Sequence, residues 1–292
     1  MKILLTGGSG FIGTNFVNLL PKNYEISFIS SKIKGKNSFN ISLSNKNEVN
    51  DHFHDHQYDY VIHLGANLHD DNFYQLMHDN FESTFNLLTG CINSKIKNFI
   101  YVSSQTVYGK SNYLPIDESH PTVPITNYAI SKLFSEEICK FFNLTYKIPI
   151  QILRVSSVYG YNQPNNFLLP KLFDSVKNLN KITVNEYLNG IQLMDFIHID
   201  DVSNAIILSL KSKKKFGIYN ICSGIPINVS MIGEEFLRFR NIKILKKKIN
   251  FETNHVLLNN LKAKTELGFK PSKKLLISLE DLFNHYISNP IK

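Results

Sequence analysis

A tyrosine and a lysine four residues apart, Tyr128 and Lys132 in Tyr128-Ala129-Ile130-Ser131-Lys132, are the pair in this sequence best suited to moving a proton. On a helix they share one face, separated by about 6 Å of axial rise. A phenol with an ordinary pKa near 10 is a poor acid or base at neutral pH. An ammonium one turn away stabilises the phenolate and is expected to lower that pKa into a working range. The same pair on an arbitrary helix is surface decoration. What argues otherwise is Ser104, at the C-terminal end of an expected parallel strand, where such sheets collect functional groups. Its hydroxyl would hydrogen-bond the same substrate oxygen.

A second constellation stands at the N-terminus. Thr6-Gly7-Gly8-Ser9-Gly10-Phe11-Ile12-Gly13 follows the apolar strand Ile3–Leu5 and opens a helix over Phe11–Leu20 that Pro21 stops. Gly7, Gly10 and Gly13 recur every third position, as a tight turn, close backbone approach to a pyrophosphate and close helix–strand packing each require. The first amides of the helix, at Phe11 and Ile12, then face the anion. An ordinary strand-to-helix turn is the competing reading, but the strand before and the helix after supply the context that the motif needs. A preference for NAD usually calls for an acidic residue at the end of the second strand. That strand, Glu25–Ile29, is followed instead by Ser30, Ser31 and Lys32. Two hydroxyls and a cation suit a 2′-phosphate, so the expected cofactor is NADP, with NAD as the alternative. Asn40 reads equally as an adenine contact or as a turn residue.

The elements that must carry these groups alternate short apolar runs with longer amphipathic stretches, the pattern of a parallel sheet covered by helices. Tyr60–Leu64 is almost wholly apolar, as a strand buried on both faces should be. Helical spacing from Phe73 to Leu88 predicts one helix over Asn72–Asn93. A strand at Phe99–Val102, a helix near Asn127–Asn143 and a strand at Ile150–Arg154 follow. After Gly160 the alternation loosens around Pro164, Pro170 and Asn162–Asn166, suggesting an insertion or a smaller lobe. Phe196–Ile199, a helix over Asp201–Leu210 and Ile218–Ile221 read as a return to the sheet, with Asp200 and Asp201 as caps. From Val229 onward the pattern is mainly helical.

Composition excludes several classes. With 292 residues, 43% hydrophobic and 19% charged, the chain is that of a globular protein able to bury a large core. The net charge of +8 comes from scattered lysines in short clusters, and arginine is scarce, which argues against nucleic acid. Cys91, Cys139 and Cys222 sit among apolar neighbours, as reduced core thiols do. No apolar run approaches the ~20 residues of a membrane span, and the N-terminus enters a strand with no signal segment. A cytoplasmic protein with no membrane partner is expected. Of His52, His54 and His56 only His52 and His56 share a helical face, too few for a metal site, so no metal is expected. His198 reads as structural.

Several of these stretches carry a resemblance. Thr6–Gly13, Val61-Ile62-His63-Leu64-Gly65-Ala66, Val102-Ser103-Ser104-Gln105-Thr106-Val107-Tyr108-Gly109, Tyr128–Lys132, Leu153-Arg154 and Asp195-Phe196-Ile197-His198-Ile199-Asp200-Asp201-Val202 are similar to signatures of the extended short-chain dehydrogenase/reductases. That group is also called the NAD-dependent epimerase/dehydratase family. Leu267-Gly268-Phe269 and Pro271 echo its C-terminal motif. The resemblance implies an α/β fold: a Rossmann-type doubly wound parallel sheet with a small, mainly helical C-terminal substrate lobe. Residues 1–160, with 195–224 returning to them, would form the cofactor domain, and 161–194 with 225–292 the lobe that clasps a nucleotide-activated sugar. The resemblance further implies Tyr128 as acid–base residue, Lys132 on the nicotinamide ribose, Ser104 orienting the substrate, and Leu64, Gly65 and Ala66 along the cofactor. It also implies a homodimer built on the helices of Asn72–Asn93 and Tyr128–Phe142.

Departures from the family pattern bear on the reaction. Sugar 4,6-dehydratases place an Asp-Glu pair directly after the catalytic hydroxyl, where this chain has Gln105 and Thr106. Epimerases keep an acidic residue on the second strand. The expected reaction is therefore reduction of a nucleotide-linked keto-sugar, of the 4-keto-6-deoxyhexose type, with hydride from the nicotinamide and a proton from Tyr128. The alternative is a nucleotide-sugar 4-epimerase with tightly bound NAD. A non-catalytic NADP-sensing or RNA-binding protein ranks below both, because such proteins commonly lose the tyrosine or lysine retained here. The family's arginine before Asp-Phe-Ile-His is Met194, and no arginine lies near Asn254-His255-Val256.

Overall fold

The structure, a computed structural model, describes residues 1–30, 32–35, 37–68 and 72–289. In chain order the first half holds β1 (Lys2–Thr6), α1 (Phe11–Leu19), β2 (Glu25–Ile29), β3 (Ser38–Phe39), α2 (Lys46–Asp55), β4 (Tyr60–His63), α3 (Phe73–Leu76), a π-helical turn (Met77–Glu82) and α4 (Ser83–Gly90). Then come β5 (Asn98–Ser104), a 3₁₀ turn (Gln105–Tyr108), α5 (Asn127–Tyr146) and β6 (Ile150–Val155). Among the described residues, β11 (Phe216–Ile221, reached below) completes a seven-stranded sheet in the order β11-β6-β5-β4-β1-β2-β3, every pair parallel. The strand order reverses between β1 and β4, so their C-terminal ends flank a crevice suited to a ligand.

Two apolar clusters bury the faces of this sheet. Ile3, Leu5 and Ile62 face one, which also takes Phe16 from α1. Leu4 and Val61 face the other, against Leu87 from α4 and Cys139 and Phe142 from α5. Consecutive residues of one strand point to opposite faces, which is why β4 and β6 are buried without a break.

The second half adds β7 (Ser157–Tyr159), α6 (Leu168–Leu179), β8 (Lys181–Tyr187), β9 (Gly190–Ile191), β10 (Met194–His198), α7 (Ile199–Leu210), β11, β12 (Pro226–Ile227), α8 (Val229–Phe236), β13 (Lys243–Lys248), α9 (Leu261–Leu267) and α10 (Leu275–Ser288). Helices α6, α8 and α10 enclose a third core, in which Phe173, Phe236 and Phe283 meet edge to face.

The elements depart from the sequence expectations in four places. Residues 194–198 do not rejoin the main sheet, because β11 already holds the edge beside β6; β10 pairs instead with β7 and β12. The helix expected over Asn72–Asn93 is interrupted by the π turn and ends at Gly90. Strand β13 is hidden in the sequence by its lysines, which are what an edge strand carries to resist further pairing. Finally, His198 rather than an aspartate caps α7, its Nδ1 accepting from the Asp200 N–H at 3.1 Å. Asp201 accepts from the amides of Ser272 and Lys273 and so ties the helix to the C-terminal segment.

Candidate active site

The glycine loop is shaped by contact. Gly7 has φ +70°, and a Cβ there would sit 2.5 Å from the Gly65 nitrogen. A Cβ on Gly13 would sit 2.2 Å from the Gly7 carbonyl oxygen, so α1 closes on the loop only with glycine at that point. At Gly10 a Cβ would meet only that same oxygen, at 3.3 Å. Gly10 begins α1 without a side-chain cap, leaving the amides of Phe11 and Ile12 to be met from the crevice. Leu64 N–H donates to the Thr6 carbonyl at 3.3 Å, bringing Leu64 and Gly65 against the same loop. The structure thus gathers Gly7, Gly10, Phe11, Ile12, Gly13, Leu64 and Gly65 at the switch point. This backbone cradle, closed to side chains and open to an anion, fits a dinucleotide pyrophosphate. Ala66 continues the same loop, and the N–H of its neighbour Asn67 donates to the buried Asn80 side chain at 2.7 Å.

The end of β2 is less as expected. The Ser30 hydroxyl oxygen accepts from the N–H groups of Lys32 and Ile33, at 3.1 and 3.2 Å, and so closes a turn. Lys32 and Asn40 are exposed. Ser31 lies outside the described residues.

Beneath the loop runs a buried polar chain. His63 Nδ1 meets Thr6 Oγ1 at 2.6 Å and its Nε2 meets Thr84 Oγ1 at 3.1 Å. The Thr84 proton is given to the Asn80 carbonyl at 2.7 Å, so Nε2–H donates to Thr84 and Nδ1 accepts from Thr6. Thr6 in turn accepts from the Gly65 N–H at 3.3 Å. Burial, with the Lys132 charge adding to it, pushes the His63 imidazole down to about 3, so the ring is neutral and this tautomer fixed. Asn80, set in the π turn, donates to the Ser131 hydroxyl at 2.9 Å and to the Asn67 carbonyl at 3.0 Å, linking the cofactor loop to α5.

Thr126 caps α5 by accepting from the Ala129 N–H, which starts the helix just before Tyr128. Ser104 ends β5 and accepts from the Thr106 amide and hydroxyl, at 3.2 and 3.0 Å. Ser104 and Tyr128 meet side chain to side chain, and Lys132 follows one turn on. The three expected catalytic residues are therefore brought together.

Their electrostatics differ from expectation. Lys132 is 2% exposed; its Nζ donates to the Val102 carbonyl at 2.6 Å and lies 4.3 Å from the centre of the Tyr101 ring. Burial lowers its pKa to about 7, against the opposing charge of Glu136. Burial raises Tyr128 well above the ordinary phenol range, and only the Ser104 hydrogen bond works against it. The Lys132 ammonium is turned to the Val102 carbonyl, and burial dominates the phenol. Tyr128 is held protonated.

Glu136 escaped the sequence reading, and Asp195 entered it only as part of a motif, without a role. Glu136 stands four residues after Lys132, a spacing that could have flagged it. Asp195 accepts from the N–H groups of Ser223, Gly224 and Leu258, and no local spacing announces those partners. Among the described residues, no group of three or more His, Cys, Asp or Glu side chains is placed to hold a metal. His52 and His56 do share a face, with rings stacked at 4.6 Å.

A glycine cradle at the switch point, one strand away from a Ser–Tyr–Lys set, is what a dinucleotide-dependent oxidoreductase asks of a doubly wound sheet. Comparison with known proteins narrows the class. The model of the NAD dependent epimerase/dehydratase family matches residues 3–222, and the chain belongs to that family of enzymes. It is 31% identical over 310 residues to a Methanocaldococcus jannaschii protein provisionally named a UDP-glucose 4-epimerase, covering 98% of this chain and 99% of that one. It is 27% identical over 258 residues to the dTDP-D-glucose 4,6-dehydratase of Homo sapiens, covering 81% of this chain and 73% of that one. The solved UDP-glucuronic acid 4-epimerase of Bacillus cereus shares the fold, with a TM-score of 0.85, 24% identity and 99% of each chain covered.

Proposed function

We propose that the protein is a nucleotide-sugar 4-epimerase that works with NAD. The observation that carries this reading is the content of the site among the described residues: one phenol held by one serine, with no carboxylate pair beside them. Gln105 donates to the Ser157 hydroxyl and Thr106 to Ser104, so neither is placed to expel water from a sugar. Moving one proton on and off one hydroxyl is what remains. The family relative of 31% identity, matched end to end, supports epimerisation over the reduction expected from the sequence. Ser30 supports NAD over NADP, since its oxygen is committed to a turn.

In this reading Gly7, Gly10, Phe11, Ile12 and Gly13 hold the pyrophosphate, while Leu64, Gly65 and Ala66 line the cofactor. Bound NAD supplies a hydride acceptor and donor. Lys132 binds the nicotinamide ribose and Ser104 orients the sugar hydroxyl. Tyr128, held protonated, gives its proton to the sugar alkoxide as that develops; to take a proton from the sugar hydroxyl it must first be the phenolate, which positive charge beside it stabilises. Residues 161–194 and 225–292 close on the nucleotide sugar. Met194 packs against the apolar core of that lobe, so lysines or backbone amides meet the sugar nucleotide's phosphates.

The working unit is a homodimer. Phe134 and Phe141 are 45% and 49% exposed on α5, with Ile138 between them, beside a groove lined by Tyr74, Met77, Phe81 and Phe85. An apolar stripe of this kind suits a second copy of the chain. Three buried, unpaired cysteines suit a reducing compartment such as the cytoplasm, and no helix among the described residues is long and apolar enough to cross a membrane.

The test is to supply NAD and UDP-glucose and follow UDP-galactose by chromatography. Interconversion with no net change in NADH absorbance is expected. A second reading, reduction of a 4-keto-6-deoxy nucleotide sugar, keeps support from the exposed Lys32 at the end of β2. Steady NADPH consumption with such a ketone, and no epimerisation, would establish it instead.

A further inference from the structure

An ion pair lies directly behind Lys132 that no step of the proposed reaction uses. Glu136 is 0% exposed and Arg154 3%. Arg154 Nε donates to Glu136 Oε1 at 3.0 Å and its Nη2 to Oε2 at 2.6 Å, while the Ser103 hydroxyl donates to Oε1 at 2.6 Å. Ser103 and Arg154 face each other in the β5–β6 register. The guanidinium also lies 4.8 Å from the centre of the Tyr108 ring, whose hydroxyl donates to Asn220 of β11 at 2.6 Å. The carboxylate is therefore fixed by two strands and has no freedom to swing. A buried ion pair is weak as a device for stability, since apolar side chains of the same volume often do as well.

Its position suggests another use. Lys132 and Glu136 are one turn apart on α5. The carbonyl and the ring face that the ammonium meets are both uncharged. The titratable groups around it are Tyr128, Glu136 and Cys139 on its own helix, Tyr101 on β5, His63 on β4, and Arg154 on β6 behind Glu136. Burial keeps Tyr101, Cys139, Tyr128 and His63 neutral. Among these groups Glu136 alone carries a negative charge.

We propose that Glu136, held in place by Arg154 and Ser103, is a positioning residue that keeps the Lys132 side chain an ammonium at working pH. The proposal rests on the reading of Lys132 and Tyr128 as the proton-transfer face. Desolvation drives Lys132 toward its neutral form, and Glu136 is the largest influence opposing it. Arg154 then has a defined role, since it stops the carboxylate from collapsing onto the lysine and drawing the ammonium off Val102.

The test is Glu136→Gln in the full chain, which keeps the shape and removes the charge. Lysines labelled with ¹³C at Cε are titrated by NMR, and the Lys132 signal is assigned by its loss in Lys132→Met. The midpoint is expected to fall by at least one pH unit, a tenfold change in the ratio of ammonium to amine, and the alkaline loss of turnover should move down with it. A merely structural lesion would lower activity at every pH and leave both midpoints where they were; an unmoved NMR midpoint overturns the proposal. If the midpoint moves but the native protein turns over no nucleotide sugar, the functional reading fails and this one stands. Should the single variant fail to fold around an unpaired Arg154, Glu136→Gln with Arg154→Gln removes both charges. The midpoint should again fall, because the lost carboxylate is the one of the two charges that acts on Lys132, and an unmoved midpoint overturns the proposal equally.

Discussion

The cleft side of the main sheet and the second half of the chain both bury apolar cores under helices, yet they spend their buried polar groups in opposite ways. Around β1, β4 and β5 the polar groups gather at the crevice: Thr6, His63 and Thr84 form a chain under the glycine loop, and Lys132, held on Val102, stands one turn from the Glu136–Arg154 pair. In the second half the buried carboxylates are consumed on backbone amides. Asp195 receives three N–H groups and the Ser223 hydroxyl, and Asp201 receives two N–H groups and the Ser272 hydroxyl. One region tunes charge and protonation, while the other fixes the path of loops. A mutation at Asp195 or Asp201 should thus be read as a change of stability, and one in the cleft as a change of chemistry.

The contrast is broken most forcefully at Asp195. Asp195→Ala leaves the Ser223, Gly224 and Leu258 amides without their acceptor, and about 4 kcal/mol of stability should be lost. Denaturant unfolding measures it; NAD affinity of the remaining folded protein should be unchanged. A cost below about 0.5 kcal/mol, the scatter of ordinary surface changes, would show that the segments at Ser223–Gly224 and Leu258 do not hang on this residue.

Gly13→Ala is the counterpart on the cleft side. The new Cβ meets only backbone of Gly7 and Gly8, so about 2–3 kcal/mol of overpacking strain is expected. Here NAD affinity should fall as well, at least tenfold by fluorescence titration. Unaltered affinity would mean that the loop does not carry the pyrophosphate.

The smallest effect is on acid stability. His63 is held near 3 in the folded protein against 6.5 in the unfolded chain, so its contribution is complete above pH 6.5 and is lost as pH falls toward 3. By pH 5.5 the loss from this ring should be about 1 kcal/mol. His52, lowered to about 4, acts in the same direction. His63→Gln should therefore flatten, without abolishing, the fall in melting temperature between pH 7 and 5.5. An identical slope in both proteins would show that His63 is not buried neutral.

The two regions were also unequally legible in the sequence. The glycine loop and the Tyr128–Lys132 face are local patterns, set by spacing along one turn and one helix, and both stand where expected. The raised pKa of Tyr128 was not legible, since it comes from the burial of its own ring, a tertiary fact, while Lys132 is turned to Val102. Ser30 misled for a related reason: a hydroxyl at the end of a strand reads as a ligand until its turn is seen. In the second half, β10 resembles a sheet strand in composition, but the edge it would join is taken by β11, nearly twenty residues further along the chain. Lysine-rich β13 shows no alternation to detect.

The proposed chemistry turns on Tyr128 as the group that exchanges a proton with the sugar. Tyr128→Phe keeps the ring and removes the hydroxyl, so NAD binding and melting temperature should stay within error of the native protein. Turnover of UDP-glucose should fall by roughly 10²–10⁴. Full turnover in Tyr128→Phe, with the cofactor still bound, would contradict the assignment of this helix face as the catalytic one.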